Sequence, residues 1–354
     1  MQFEYESQPG RVVFGVDAVT NILGEIKREN LNKVLIITTR GRIAQAERVA
    51  ELLGERCVGI YDNSVQHVPV EIVKSALLQV KKTNVDGIVA IGGGSSIGLA
   101  KAIALKTALP IIAIPTTYAG SEMTSIWGMT EGGRKITGID PLVKAKVVIY
   151  DPKLTVNLPI NITVTSALNA MAHCVAGLYA KNANPVTSLL AENGIEAFQK
   201  SLPKLIEDSM SMDARSEALY GTWLAGTVLG SVHMSLHHKL CHVIGGTCGL
   251  SHAETHSVML PYVLSYNADH IPDAIKVLSH VFESNENDVS GALFDFSLSL
   301  GVPMSLEEIG MKKEEIEVVV NQISELSFYN PRPIEKQQIR EMLKSAYQGI
   351  RPTV

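Results

Sequence analysis

Six of the ten histidines fall between positions 233 and 256: His233, His237, His238, His242, His252 and His256. An imidazole can donate a hydrogen bond, accept one, carry a proton near neutral pH or bind a borderline metal ion. In "HHKLCHVIGGTCGLSHAETH" the pair His238 and His242 shares a helical face at i,i+4, and His252 follows after "GGTCGLS". Upstream, "ALNAMAHC" sets Asn169 and His173 at the same spacing on another helix. The cluster has the residue types of a metal pocket, yet a strong pocket would want a carboxylate where Asn169 stands. At least two of these histidines are expected to be functional, with His233, His237 and His256 read as structural. Cys241 and Cys248 could supply thiolates, but their spacing fits no tetrahedral set, and the reading is buried thiols.

A second group carries a different chemistry. "AIGGGSSIGLAK" puts three glycines and two serines between an apolar run and a helix. Glycines let the backbone approach a phosphate, and a helix start offers unpaired N–H groups and a positive dipole end. Gly93, Gly94 and Ser95 are therefore candidates for a dinucleotide diphosphate. In "IPTTYAGSEMT" the hydroxyls of Thr116, Thr117, Ser121 and Thr124 could contact a ribose, a phosphate or a carboxamide, against the plainer reading of turn capping. The GxGxxG fingerprint after a first strand is absent. "TRGRIAQ" follows "KVLIIT" without the acid that would hold the ribose hydroxyls, so NAD versus NADP stays open at Arg40 and Arg42. Lys135 is a further cofactor candidate.

Elements able to hold these groups are legible in the periodicity. "KVLIIT" (33–38), "CVGIY" (57–61), "GIVAIGGG" (87–94), "PIIAIPTT" (110–117) and "KVVIYDP" (146–152) read as buried strands separated by helices at 42–53 and 70–82. Such alternation predicts a parallel, Rossmann-like α/β sheet covered on both faces. "SIWGMTEGGRKITG" (125–138) reads as a hairpin around a Gly-Gly turn. Beyond Pro152 the pattern turns helical: 163–181, 186–200, a long 212–243 interrupted by glycines, 253–267, 271–283, 289–300, 313–326 and 335–347. The expected organisation is a dinucleotide-binding domain over 1–153 and an all-α substrate domain over 154–354.

Composition narrows the function classes. The chain has 354 residues, 46% of them hydrophobic and 19% charged, which suits two large cores. A formal net charge of −5 without a basic block argues against a nucleic-acid surface. No run approaches the ~20 apolar residues that span a bilayer, and "MQFEYESQPG" does not read as a signal peptide. Four cysteines without a CxxC pair point to reduced thiols in a cytoplasmic protein.

Taken together, "GGGSSIGLAK", "PTTYAGSE", the Asn169–His173 pair and "HHKLCHVIGG…SHAETH" resemble the iron-containing alcohol dehydrogenase superfamily over essentially the whole chain. The resemblance implies a dehydroquinate synthase-like two-domain fold and a divalent metal held by an Asp and three histidines. Those ligand positions fall on Asn169, His173, His238 and His252, so the anionic ligand is missing. A further family histidine, placed near the nicotinamide and in proton relay, falls on His242. Within the superfamily, "TYAGSEMTSIWGMTEGGRKITGIDP", "NAMAHCV", "GLSHAETH" and "FYNPRPI" resemble the maleylacetate reductase branch. That implies reduction of the carbon–carbon double bond of maleylacetate to 3-oxoadipate with NADH, or NADPH, in bacterial degradation of aromatic compounds. The metal positions would then be vestigial and the work done by histidines. Lys239, Tyr329 and Arg332 are candidates for the two substrate carboxylates, and "GRVVFG" for pairing across a homodimer. Two rivals remain open from the residues: a metal-dependent alcohol or polyol dehydrogenase, and a sugar-phosphate cyclase resembling dehydroquinate synthase.

Overall fold

A computed structural model describes Phe3, Tyr5 and residues 10–353, so most of the opening segment read above lies outside the described residues. The chain forms two compact units, one ending at Leu158 and the other running from Pro159. The first contains β1 (Arg11–Phe14), α1 (Ile22–Arg28), β2 (Val34–Ile37), α2 (Ile43–Leu53), β3 (Cys57–Tyr61), α3 (Val70–Thr83), β4 (Gly87–Gly92) and α4 (Gly94–Thr107). It continues through β5 (Ile111–Pro115), β6 (Ile126–Glu131), β7 (Arg134–Ile139) and β8 (Val147–Tyr150).

Six strands form one parallel sheet in the order β1-β8-β5-β4-β2-β3. Every residue of β2, β4, β5 and β8 is buried, as a continuous apolar run requires when both faces of a sheet are covered. From β2 the chain moves outward to β3, whereas from β4 it moves the other way to β5. The strand order therefore reverses between β2 and β4, and ligands of open α/β sheets bind at the carboxyl ends flanking such a reversal. This is why the glycine loop follows β4 and not the first strand. β6 and β7 make the expected hairpin, with Gly132 and Gly133 at φ +54° and +78°, the left-handed values of a tight two-residue turn. β1 is an edge strand paired with β8.

The second unit is helical: α5 (Ile160–Leu178), α6 (Pro185–Glu207), α7 (Met212–Ser231), α8 (Leu236–Cys248), α9 (His252–Asn267), α10 (Pro272–Val281), α11 (Val289–Ser299), α12 (Glu315–Glu325) and α13 (Lys336–Gln348). The single helix expected over 212–243 is two helices. Its glycines do not cause the break, since Gly221, Gly226 and Gly230 all stay inside α7. The chain instead turns extended at Val232 (φ −127°, ψ 162°), and side chains take up the freed backbone groups. Asn182 donates to Ser231 O at 3.2 Å and accepts from His233 N at 2.8 Å, while Asn330 Oδ1 accepts from Leu236 N at 3.4 Å. These partners are distant in sequence, so the break has no local signal.

Small residues let α5, α6 and α7 approach closely. A Cβ at Gly177 would lie 2.3 Å from Val228 Cγ1, one at Gly194 2.7 Å from Cys174 Sγ, and one at Gly221 3.1 Å from Phe198 Cζ. α5 is consequently buried without interruption from Ser166 to Gly177, which places Asn169 and His173 inside the bundle. Gly177→Ala should destabilise the protein by about 1–3 kcal/mol, because the overlap must be relieved in a close-packed seam. A urea midpoint equal to that of the parent would mean that α5 and α7 can part freely.

Candidate active site

Three helices build the histidine cluster. α5 brings His173, α8 brings His237, His238 and His242, and α9 brings His252 and His256. Gly249, at φ +68°, ends α8 in the left-handed conformation that lets the chain turn into α9. His173 Nδ1 lies 2.7 Å from His238 Nε2, and His237 Nε2 lies 3.1 Å from His256 Nδ1. Ring centroids are 4.3 Å apart for His252–His256, 5.0 Å for His238–His256 and 5.5 Å for His242–His252. The cluster is graded from inside to outside. His173, His237, His238 and His256 are buried, whereas His242 and His252 are exposed.

Burial sets the charge of this group. Desolvation pushes the His237 imidazole down to about 3, and neighbouring His173 and His242 push it the same way. His238 and His256 are likewise held well below the usual imidazole range, first by burial and then by the surrounding rings. The interior rings are therefore neutral at pH 7, each with one N–H to give. Within each close pair one ring donates and the other accepts. His237 Nδ1, His238 Nδ1, His256 Nε2 and Asn169 Oδ1 are buried with no hydrogen-bond partner among the described residues.

The residues singled out from sequence are thus only partly brought together. His173, His238, His242 and His252 share one cluster, and buried Asn169 stands one turn before His173 on α5. His237 and His256, read above as structural, lie within the cluster. Their signal was present, as His252 and His256 share an i,i+4 face on α9. Exposed His233 sits at the break before α8. Cys241 is buried as expected, but its sulfur and donor atoms of His237 and His256 lie within 4.8 Å of one another. Cys248 is half-buried at the end of α8. Lys239 is exposed on α8, and Tyr329 is exposed in the segment after α12. Arg332 donates to Tyr266 O at 2.8 Å with its guanidinium 4.6 Å above the Tyr266 ring, so it is already engaged with α9.

In the first unit, α4 starts directly at the glycine loop and, among the described residues, no side chain caps its first turn. Gly92 (φ +141°) and Gly93 have no room for a side chain: a Cβ would lie 2.4 Å from Ser96 Oγ and 2.9 Å from Thr117 Cγ2. Gly94 differs, since a Cβ there would meet nothing within 4 Å. Open space in front of uncapped N–H groups is a cradle suited to a phosphate. Ser95 and Thr117 are half-buried beside it, and buried Thr116 carries an unpartnered hydroxyl. Ser121 follows at the end of the same segment, while Thr124 is buried with its hydroxyl facing inward to Lys101, 2.9 Å away. Lys135 is exposed on β7. A cavity of about 570 Å³ opens beyond β2 and β3, lined by Thr39, Arg40, Gly41, Asp62 and Asn63 among others. Arg40 donates to Asn63 Oδ1 at 2.9 Å there.

Comparison with known proteins follows the same two units. Residues 9–152 match the iron-containing alcohol dehydrogenase family model, and residues 163–347 match the C-terminal model of the Fe-containing alcohol dehydrogenase family. The chain belongs to the iron-containing alcohol dehydrogenase family. It is 46% identical to the maleylacetate reductase of Burkholderia cepacia over 351 residues, 99% of each chain. Crystal structures of maleylacetate reductase from Agrobacterium tumefaciens and from Rhizobium sp. strain MTP-10005 superpose with TM-scores of 0.96 and 0.96. Their identities are 41% and 42%, and both comparisons cover 99% of this chain and 100% of the other.

The family name implies iron, and the donor set here does not fit it. Asn169 contributes a neutral amide where an anion is wanted, so His173, His238 and His252 would face the cation without a counter-charge. His173 Nδ1 and His238 Nε2, at 2.7 Å, share a hydrogen. Two nitrogens on one cation at about 2.1 Å would stand roughly 3.0–3.4 Å apart and carry no hydrogen between them.

Two outcomes test these sites. Gly94→Val should leave circular dichroism unchanged while abolishing most NADH affinity in calorimetric titration, because the new side chain fills the open cradle. Unaltered affinity would move the cofactor elsewhere. The second concerns pH. The unfolded chain takes up protons on His237, His238 and His256 near 6.5, whereas the folded chain resists protonation down to about 3 at His237. Stability is therefore fully present above pH 6.5 and lost below it, by up to about 1.4 kcal/mol per pH unit for each ring. His256→Gln should flatten the decline of the urea midpoint between pH 6.5 and 5.5, and an unchanged slope would show that His256 is charged in the fold.

Proposed function

We infer that the protein is a maleylacetate reductase, using NADH to convert maleylacetate to 3-oxoadipate. The observation that carries this is end-to-end identity of 41–46% to maleylacetate reductases, spanning 99% of the chain. In our reading the α4 cradle with Gly93, Gly94 and Ser95 takes the diphosphate, and the hydroxyls of Thr116, Thr117 and Ser121 flank it. Thr124 shapes that segment from behind, and Lys135 contributes from the hairpin. Bound NADH supplies a hydride to the substrate. The cavity beyond β2 and β3 offers Asp62 to ribose hydroxyls and Arg40 to a 2′-phosphate, and in our reading NADPH is accepted as well.

Maleylacetate is a dianion whose alkene is conjugated to a ketone. Reduction at the carbon beta to the ketone sends charge onto the ketone oxygen as an enolate, and a proton must then reach the alpha carbon. Imidazole N–H groups can hold that oxygen as an oxyanion hole does, where the charge develops. The exposure of His242 and His252 at the outer end of the cluster supports our reading that they meet substrate and exchange protons with water. We assign proton delivery to His242 and oxygen stabilisation to His252 and His238. His173 holds His238 through the 2.7 Å bond, which fixes ring orientation. Asn169 keeps the pocket uncharged, so it neither repels two carboxylates nor draws protons onto the buried rings. Exposed Lys239 and Tyr329 are our candidates for the carboxylates, while Arg332 acts through its hold on α9.

The chemistry proposed needs no metal. A metal-dependent dehydrogenase of the same family draws on one observation, the compact His237–Cys241–His256 grouping. The protein is further proposed to be a cytoplasmic homodimer, for which the β1 edge offers unpaired strand backbone; no helix among the described residues is long and apolar enough to cross a membrane. After exhaustive chelation, oxidation of NADH at 340 nm with maleylacetate should proceed within about twofold of the untreated rate, because no Lewis acid is required. Loss of activity on chelation, with recovery on adding iron or zinc, would instead select the metal-dependent reading.

A further inference from the structure

Lys101 lies on α4, seven residues after Gly94 and so two turns further along the same stripe of the helix. It is only 3% exposed, an unusual place for an ammonium. Its Nζ donates to Ser121 O at 2.7 Å, Thr124 O at 2.8 Å, Thr124 Oγ1 at 2.9 Å and Ile126 O at 2.8 Å. Three of these oxygens are carbonyls, which can only accept, and an ammonium has three hydrogens to match them. The Thr124 hydroxyl completes the knot by donating to Ser121 O at 3.0 Å and accepting from Ile126 N at 3.3 Å. In the same turn, buried Glu122 accepts from Tyr150 OH at 2.8 Å, fixing the loop to the end of β8 as well.

Loop 121–126 is held from within by Thr124 N donating to Ser121 O at 3.2 Å and from β8 by Tyr150, and Lys101 bonds it to α4. It makes a single 3-10 turn, Ser121–Met123, and then enters the hairpin. A methionine at 101 would fill the same core volume without the cost of burying a charge, but Thr124 O and Ile126 O would lose this donor, while Ser121 O would keep Thr124 N and Oγ1. The ammonium thus links two stretches of chain that both belong to the proposed cofactor site: the helix whose first turn is the cradle, and the loop that carries Ser121.

We propose that Lys101 is a positioning residue for the dinucleotide, clamping loop 121–126 to α4 so that Ser121 and the open turn at Gly94 are presented to the cofactor as one preorganised unit. This rests on the reading that α4 holds the diphosphate. Preorganisation lowers the ordering cost of binding, so its loss appears in cofactor affinity more than in the chemical step.

The test is a double-mutant cycle on Lys101→Met and Thr124→Val, with NADH affinity by calorimetry, thermal midpoint, and steady-state kinetics with maleylacetate. Lys101→Met should weaken NADH binding about tenfold or more and Thr124→Val about threefold, while the double variant stays near Lys101→Met because both cut one knot. Turnover at saturating NADH should stay within about threefold of the parent. A folded Lys101→Met whose NADH affinity lies within about twofold of the parent overturns the proposal whatever its thermal midpoint, since a merely structural lysine would lower stability alone. A fall in turnover at unchanged KM for NADH overturns it too. If Lys101→Met does not fold, Thr124→Val decides, and unchanged affinity there counts against the clamp. Gly94→Val separates the two levels: if it spares NADH affinity the cofactor reading itself fails, and if it alone loses affinity only the clamp fails.

Discussion

Desolvation of imidazole is the constraint on which the helical unit turns. His237, His238 and His256 can be buried beside one another only while they stay neutral, because each charged ring would lose its hydration and repel its neighbours. Neutral rings carry one hydrogen for two nitrogens, so they pair donor to acceptor, as His173 with His238 and His237 with His256 do. An aspartate at 169, buried one turn before His173 on α5, would add a charge that favours the protonated form of a nearby imidazole. Asparagine at 169 is therefore compatible with a neutral histidine interior, which is the basis of the hydrogen-bonding mechanism proposed above.

The frame around the cluster is built to keep those rings in place. Gly177, Gly194 and Gly221 allow α5 to sink between its neighbours, which holds Asn169 and His173 away from water. α8 begins where Asn330 accepts from its first turn and ends where Gly249 turns left-handed into α9. Asn330 also donates to Asn267 Oδ1 at 2.7 Å and Arg332 holds Tyr266, so the "NPR" segment straps the start of α8 to the far end of α9. Tilting either helix would separate the rings they share.

What could be read from sequence follows the range of the forces involved. Strands 34–37, 87–92, 111–115 and 147–150 were visible because burial on both faces demands unbroken apolar runs, and the hairpin because Gly132-Gly133 is local turn chemistry. The break at Val232 was not visible, since its capping partners Asn182 and Asn330 are respectively 49 or more and 94 residues away. His238, His242, His252 and His173 were legible through spacing and resemblance. His237 and His256 were passed over because one helix can show two histidine faces, and sequence does not say which of them turns inward. Lys101 looked like any helix lysine, for its meaning lies in three carbonyls some 20 to 25 residues downstream.

In the function proposed above, both units would meet anionic chemistry with dipoles. The helical unit offers imidazole N–H groups, and the sheet unit offers the uncapped N–H groups at the start of α4. A dipole fixed by packing costs less to bury than a charge, and it needs no counter-ion when the ligand is absent. Its weakness is that a dipole acts only over short distance and in one direction, so its aim must be held rigidly. That requirement explains where charge is spent in the sheet unit. The Lys101 ammonium is buried away from the open turn, with carbonyls of loop 121–126 as its partners. Burial pushes this ammonium down to about 7, the cost of placing a charge there, while Glu122 acts the other way. The Lys101 amine thus lies where it ties loop 121–126 to α4, and the neutral backbone donors lie at the open turn.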